Sequence, residues 1–178
     1  SEAPVVAAVP APAPAPPVPA ARPSAGPPPV VEPPPRASAR FAWPVHGEIL
    51  SEFGSKADGM HNDGINIAAP QGTEVFAAEN GVVAYAGNEL RGFGNLLLIR
   101  HADGWMTAYA HLDRMAVRRG DRVGRGQSIG TIGSTGSVSV PQLHFEVRKG
   151  SRAVDPKGLL DDRQVSRDVS PGVRPGPG

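Results

Sequence analysis

Between Gly47 and Gly136, glycines recur at short intervals and leave only brief apolar runs between them. The runs include Gly81-Val-Val-Ala-Tyr-Ala-Gly87, Asn95-Leu-Leu-Leu-Ile-Arg100, Trp105-Met-Thr-Ala-Tyr-Ala-His-Leu112, Ser128-Ile-Gly-Thr-Ile132 and Leu143-His-Phe-Glu-Val147. They are too short for core helices and rich in β-branched and aromatic residues. No window of a dozen residues carries a 3.6-residue apolar period. Short strands with turn signals between them predict a mainly all-β fold, a compact antiparallel sheet closed as a barrel or sandwich.

The rest of the chain cannot contribute to that core. Fourteen of the 21 prolines lie between positions 4 and 35, and all nine aromatic residues lie between Phe41 and Phe145. Residues 1–40 therefore read as an Ala/Pro-rich linker in extended, polyproline-like conformers, with a PxxP-type docking role as the functional alternative. Residues 161–178, rich in Ser, Asp, Arg, Pro and Gly, read as a disordered tail. The folded domain is expected at 41–160. A start inside a linker is what a mature product or a piece of a longer protein would give.

Eighteen basic and 17 acidic residues leave a net charge of +1. That is no electrostatic footprint for nucleic acid, and Arg118-Arg119 reads as a solvated rim. No stretch is long enough to span a bilayer. Without cysteine there are no disulfides and no thiolate metal sites.

The run Arg119-Gly-Asp-Arg-Val-Gly-Arg-Gly-Gln-Ser-Ile-Gly130 predicts a tight hairpin, its glycines supplying positive φ. Biotinyl and lipoyl carriers have such a hairpin with a lysine at its tip. The only lysines here are Lys56, Lys149 and Lys157, which removes the carrier reading.

On the strand Pro141-Gln-Leu-His-Phe-Glu-Val-Arg148, alternation sends Leu143, Phe145 and Val147 to a core and Gln142, His144, Glu146 and Arg148 to the other face. A histidine at 142 would complete a His-x-His pair. Gln142 is instead a neutral amide, a poor zinc ligand that takes up no proton near neutral pH.

Several motifs stand in register: Gly59-Met-His-Asn-Asp-Gly-Ile-Asn-Ile-Ala-Ala-Pro-Gln-Gly-Thr-Glu-Val75, Tyr109-Ala-His-Leu112, Gln142-Leu-His-Phe-Glu-Val147 and Asp155-Pro156. In order and spacing they resemble the LytM, or M23 peptidase, domain over about residues 43–160. Met60 to Pro70, Ser134-Thr-Gly-Ser-Val138 and Pro141 to His144 resemble the DipM-type branch of that family. The resemblance implies a β-sheet groove for peptidoglycan peptides with zinc at its floor. Such a centre needs about three protein ligands and an open position for water.

Compared with the family's pattern, Asn66 stands where the ligand aspartate belongs. Asn62 stands where the first histidine belongs, and the nearest histidine, His61, is one residue out of register. Gln142 replaces the first histidine of the pair. Only His144 and His111 stand where the family has a ligand and a catalytic imidazole. Two readings stay open. In one, a looped His61 and Asp63 join His144 in a relocated zinc site. In the other, the site holds no metal, and a groove floor of His61, Asn66, His111, Gln142 and His144 binds a protein segment or a peptidoglycan strand.

Among the remaining candidates, His101 reads as a turn residue and His46 as part of an entry loop. Asp155-Pro156 reads as a strand end, and Trp105 and Tyr109 as core. The resemblance implies a catalytically inactive periplasmic regulator at the division site. Its expected partners are peptidoglycan, N-acetylmuramoyl amidases and lytic transglycosylases, with no cofactor. A zinc endopeptidase and a passive peptidoglycan-binding module are the alternatives.

Overall fold

The computed structural model describes residues 31–161. Most of the expected linker and nearly all of the expected tail lie outside the described residues. Twelve short strands form the fold: β1 (Ile49–Ser51), β2 (Gly54–Ser55), β3 (His61–Asn62), β4 (Ile65–Ala68), β5 (Glu74–Phe76), β6 (Gly81–Gly87), β7 (Asn95–Arg100), β8 (Trp105–Met115), β9 (Arg122–Val123), β10 (Ser128–Ile132), β11 (Gln142–Lys149) and β12 (Arg152–Val154). Single 3₁₀ turns occur at Arg91–Phe93, Ala102–Gly104 and Pro156–Gly158, and no α-helix occurs among the described residues. Among them, too, no helix is long and apolar enough to cross a membrane.

Ten strands make one antiparallel sheet in the order β1-β4-β11-β8-β7-β6-β9, with β10 joining β8 to β5 and β12 added to β11. The mainly all-β expectation holds. Period-two alternation fixes the core face: Phe145 pairs with Ile65 on one side and Tyr109 on the other, and Leu143 pairs with Ile67. These residues and Leu97, Ile99, Val147 and Ile132 are buried in one apolar cluster. The opposite face of the central strands carries a smaller cluster of Leu96, Ala108 and Ala110, with Phe93 and Tyr85 packed against it.

The expected hairpin over 119–130 does not form. β9 pairs with β6, while β10 pairs with β5 and β8. Two separate turns replace it, closed by Asp121 N donating to Arg118 O and Gln127 N donating to Gly124 O. Local turn chemistry was legible there, but each flanking strand finds a longer partner elsewhere.

The described part of the expected linker is laid against the sheet. The fully buried Glu79 carboxylate accepts from Ala37 N at 2.6 Å, Ser38 N at 3.3 Å and Asn80 N at 2.8 Å. The guanidiniums of Arg36 and Arg125 lie 3.9 and 3.7 Å from Glu79 Oε1, offsetting the cost of burying the charge. Phe41 bridges to Leu160, so chain entry and exit run side by side. At the exit, Asp155 accepts from Lys157 N and caps the last 3₁₀ turn.

Candidate functional site

One cross-strand row assembles the site. Ser51 of β1 pairs with Asn66 of β4, Asn66 with His144 of β11, and His144 with Ala110 of β8. Paired residues on neighbouring strands share a face, so these side chains all stand opposite the core. Gly64 lets β4 enter this row closely: a Cβ there would lie 2.1 Å from Phe145 O.

The row carries a hydrogen-bonded chain of amides. Gln142 Nε2 donates to Val140 O at 3.1 Å, and Gln142 Oε1 accepts from Asn66 Nδ2 at 2.8 Å. Asn66 Oδ1 accepts from Asn62 Nδ2 at 3.0 Å and faces His144 Nδ1 at 3.2 Å. Asn62 Nδ2 also donates to Ser51 Oγ at 2.9 Å, and Asn62 Oδ1 accepts from Gly64 N at 3.0 Å. Backbone groups fix the amide orientations from both ends, because the Val140 carbonyl can only accept and the Gly64 N–H can only donate. Asn66 Oδ1 is therefore an acceptor, and His144 Nδ1 must carry a proton.

The other ring nitrogen also faces an acceptor. His144 Nε2 lies 2.8 Å from Glu146 Oε2, and Arg148 Nε donates to Glu146 Oε1 at 2.8 Å. Burial pushes the Glu146 carboxyl up, but the hydrogen bonds and charges of His144 and Arg148 outweigh it and hold the group below its usual range. His144 thus faces an acceptor on each side of its ring, Asn66 Oδ1 and Glu146 Oε2. Arg148 Nη2 reaches Asp63 Oδ2 at 3.4 Å, and Asp63 Oδ1 lies 3.4 Å from His61 Nε2. The network thus runs from a buried floor to an exposed rim.

Of the residues singled out in the sequence, Asn66, Gln142 and His144 meet directly. The His111 ring stands 6.2 Å from that of His144, centre to centre, and Phe93 covers His144 at 5.9 Å. His61 is not on the floor: its side chain is 49% exposed beside Asp63, edge-on to Phe53. Asp63 reaches His144 only through Arg148 and Glu146, so His61, Asp63 and His144 do not converge. Asn62, one residue on from His61, takes the inward place. His101 opens the Ala102–Gly104 turn, as expected, and its ring is buried, bonded to Asn80 O and Thr107 Oγ1.

Sequence reasoning gave Ser51, Glu146, Arg148 and Phe93 no role in the site. Period-two spacing from His144 was signal enough for Glu146 and Arg148. Ser51 and Phe93 arrive from distant segments with no local signature. Where Asn62, Asn66, Gln142 and His144 meet, the donors are three neutral amides and one imidazole already bonded through both nitrogens. Protein zinc sites draw on imidazole, carboxylate and thiolate, so this donor set does not match zinc. Among the described residues, no group of three or more His, Cys, Asp or Glu side chains is placed to hold a metal ion.

Comparison with known proteins places this geometry in context. The chain is 50% identical over 126 residues to the cell division protein DipM of Caulobacter vibrioides, covering 71% of this chain and 21% of that protein. It is 45% identical over 123 residues to the murein hydrolase activator NlpD of Escherichia coli, covering 69% of this chain and 32% of that one. The chain thus spans about a fifth to a third of these relatives' lengths. The crystal structure of a zinc-containing peptidase from Vibrio cholerae superposes with a TM-score of 0.61 at 34% identity, covering 66% of this chain and 39% of that one. Residues 60–156 match the profile of Peptidase family M23 and hold Asn66, Ala110 and His144 of the cross-strand row: the chain belongs to Peptidase family M23.

Proposed function

We propose that this chain is a LytM-domain regulator that activates peptidoglycan hydrolases, N-acetylmuramoyl amidases first among them, without cutting the wall itself. The observation that carries this reading is the closed amide chain through Asn62, Asn66 and Gln142. It puts neutral, mutually satisfied side chains where the family's zinc chemistry calls for imidazoles and a carboxylate. Without a metal, a bound water keeps its ordinary pKa and no hydroxide nucleophile forms near neutral pH. Similarity to a cell division protein, DipM, and to a murein hydrolase activator, NlpD, supports the same reading.

The surroundings suit a protein partner. Among the described residues, the exposed large apolar side chains are Leu50, Met60, Leu90 and Val140, at 45, 64, 51 and 47% exposure. Each lies on a segment that frames the network: Leu50 precedes Ser51, Met60 precedes His61, Leu90 opens the turn carrying Phe93, and the Val140 carbonyl accepts from Gln142. A polar floor bordered by segments that carry exposed apolar side chains fits a segment of an autoinhibited hydrolase. Binding the open form of that enzyme more tightly than the closed form raises its active population. In this reading the protein acts in the periplasm during septal wall remodelling and daughter-cell separation, with lytic transglycosylases as further partners.

The test pairs metal analysis of the untagged chain with release of soluble fragments from dye-labelled sacculi, alone and with a purified amidase. Release only in the presence of amidase, above the amidase's own rate, is the expected result. Stoichiometric zinc with robust release by the chain alone would overturn the proposal in favour of a zinc endopeptidase. Sacculus binding without any change in amidase rate would overturn it in favour of passive attachment.

A further inference from the structure

Strand β8 breaks its own alternation at His111. Tyr109 is in the main core and Ala110 in the cluster on the site face, so regular pleating would return His111 to the core and Leu112 to the site face. The reverse is found: Leu112 is buried in the main core and His111 lies beside His144. The switch is made by a left-handed backbone at His111, φ +68°, with pairing shifts against β7 and β10. Such a conformation costs a residue with a Cβ about 1–2 kcal/mol, and strain of this kind clusters at functional sites.

The surroundings hold the distortion in place. Asn95 Nδ2 and Thr135 Oγ1 each donate to Leu112 O at 2.8 Å, and Asn95 N donates to Thr135 Oγ1 at 3.1 Å. Gly94, at φ +64°, admits Thr135, whose Oγ1 would lie 2.4 Å from a Cβ at position 94. The Thr135 carbonyl accepts from His111 Nδ1 at 2.8 Å, which places the ring proton there. Burial, followed by the nearby His144 charge, lowers the His111 pKa against the Thr135 bond, so the ring is neutral near pH 7 and Nε2 keeps its lone pair. Among the described residues, no hydrogen bond engages that atom. Among the described residues, Arg36 Nε is the one side-chain polar atom both buried and unpartnered, so His111 Nε2 is reached by solvent although the residue is 5% exposed.

We propose that His111 Nε2 is the recognition atom of this site, accepting a hydrogen bond from an N–H group of a hydrolase segment seated over the amide floor. The inference rests on the regulator reading and adds the partner chemistry. The segment must present an N–H donor, since His111 offers a lone pair and the amide floor is internally satisfied.

The test titrates a purified N-acetylmuramoyl amidase into the 178-residue chain and into His111→Asn and His111→Gly. Both replacements tolerate positive φ, and circular dichroism checks that each folds. The expected result is about tenfold weaker binding for both, the effect of losing one well-formed hydrogen bond. A second measurement needs no variant: the ring ¹⁵N resonance of unprotonated His111 Nε2 in the wild-type chain moves upfield in the complex. Unchanged affinity in folded variants, or an unmoved resonance in the complex, overturns the inference and leaves the regulator reading standing. A wild-type chain with no affinity for amidases removes both. Variants that lose affinity for sacculi but not for the amidase overturn it in favour of a glycan hydroxyl as the donor.

Discussion

Acidification from pH 7 to pH 5 should destabilise the fold, and the share carried by His101 can be isolated. Its ring is buried edge-on to Phe41, 5.8 Å between centres, and Nδ1 lies 2.7 Å from Asn80 O, so Nδ1 carries the proton. Nε2 then accepts from the Thr107 hydroxyl at 2.8 Å, Thr107 Oγ1 accepts from Tyr109 at 2.7 Å, and Tyr109 Oη accepts from Ala78 N at 3.0 Å. A proton on Nε2 would reverse this relay inside the core. Burial accordingly lowers the His101 pKa from 6.5 to about 4, against the opposing pull of Asn80 O and Glu79. With the folded value depressed, the unfolded chain binds more protons between those two pH values, so stability is complete above about pH 6.5 and falls as pH drops toward 4. Taking ~1.4 kcal/mol per pKa unit and the two pKa values, the loss between pH 7 and pH 5 is about 2 kcal/mol. Urea unfolding followed by tryptophan fluorescence at both pH values measures it, in the wild-type chain and in His101→Gln, whose amide can still donate to Asn80 O. The wild type should lose about 2 kcal/mol more than the variant over that interval. Equal losses in the two proteins would refute the assignment of a neutral, buried His101.

The amide floor yields a gain-of-function test. Asn62→His combined with Asn66→Asp would place an imidazole and a carboxylate beside His144, and the doubly substituted chain should acquire zinc in metal analysis where the parent does not. Asn66→Ala leaves the amides of Asn62 and Gln142 and His144 Nδ1 without their shared partner, and should cost about 1–3 kcal/mol in chemical denaturation. Glu146→Ala removes the carboxylate between His144 and Arg148 in a largely buried setting and should cost about 3 kcal/mol or more. Because the Glu146 pKa is held down, its stabilisation is present above the ordinary carboxylate value and disappears as pH falls through the folded one, so wild type and variant should converge in stability at strongly acidic pH. Gly64→Ala drives a methyl group onto the Phe145 carbonyl and should lower the melting temperature sharply through backbone displacement along β4 and β11.

Strand content, the core face of β11 and the presence of amides at Asn66 and Gln142 could all be read from the chain, because side-chain identity and period-two alternation are local properties. The same alternation misleads at β8. The pattern Tyr109-Ala-His-Leu112 places two core residues three apart, a parity break that marks a bulge only once Asn95 and Thr135 are known to stabilise it. In the 119–130 segment, turn residues gave the turns, while partner choice depended on β5, β6 and β8.

Sequence by itself determined which chemistry this protein can offer: amides where the family's metal centre would need a carboxylate and imidazoles, an all-β scaffold, and no thiolates. Tertiary structure decided which side chains meet. Asn62 and not His61 turns inward, Asn66 bonds Gln142 across 76 residues of chain, and His144 is held between an amide and a carboxylate through both of its nitrogens. These outcomes turn on single-residue shifts in strand register and on hydrogen bonds between distant segments, which no local pattern encodes.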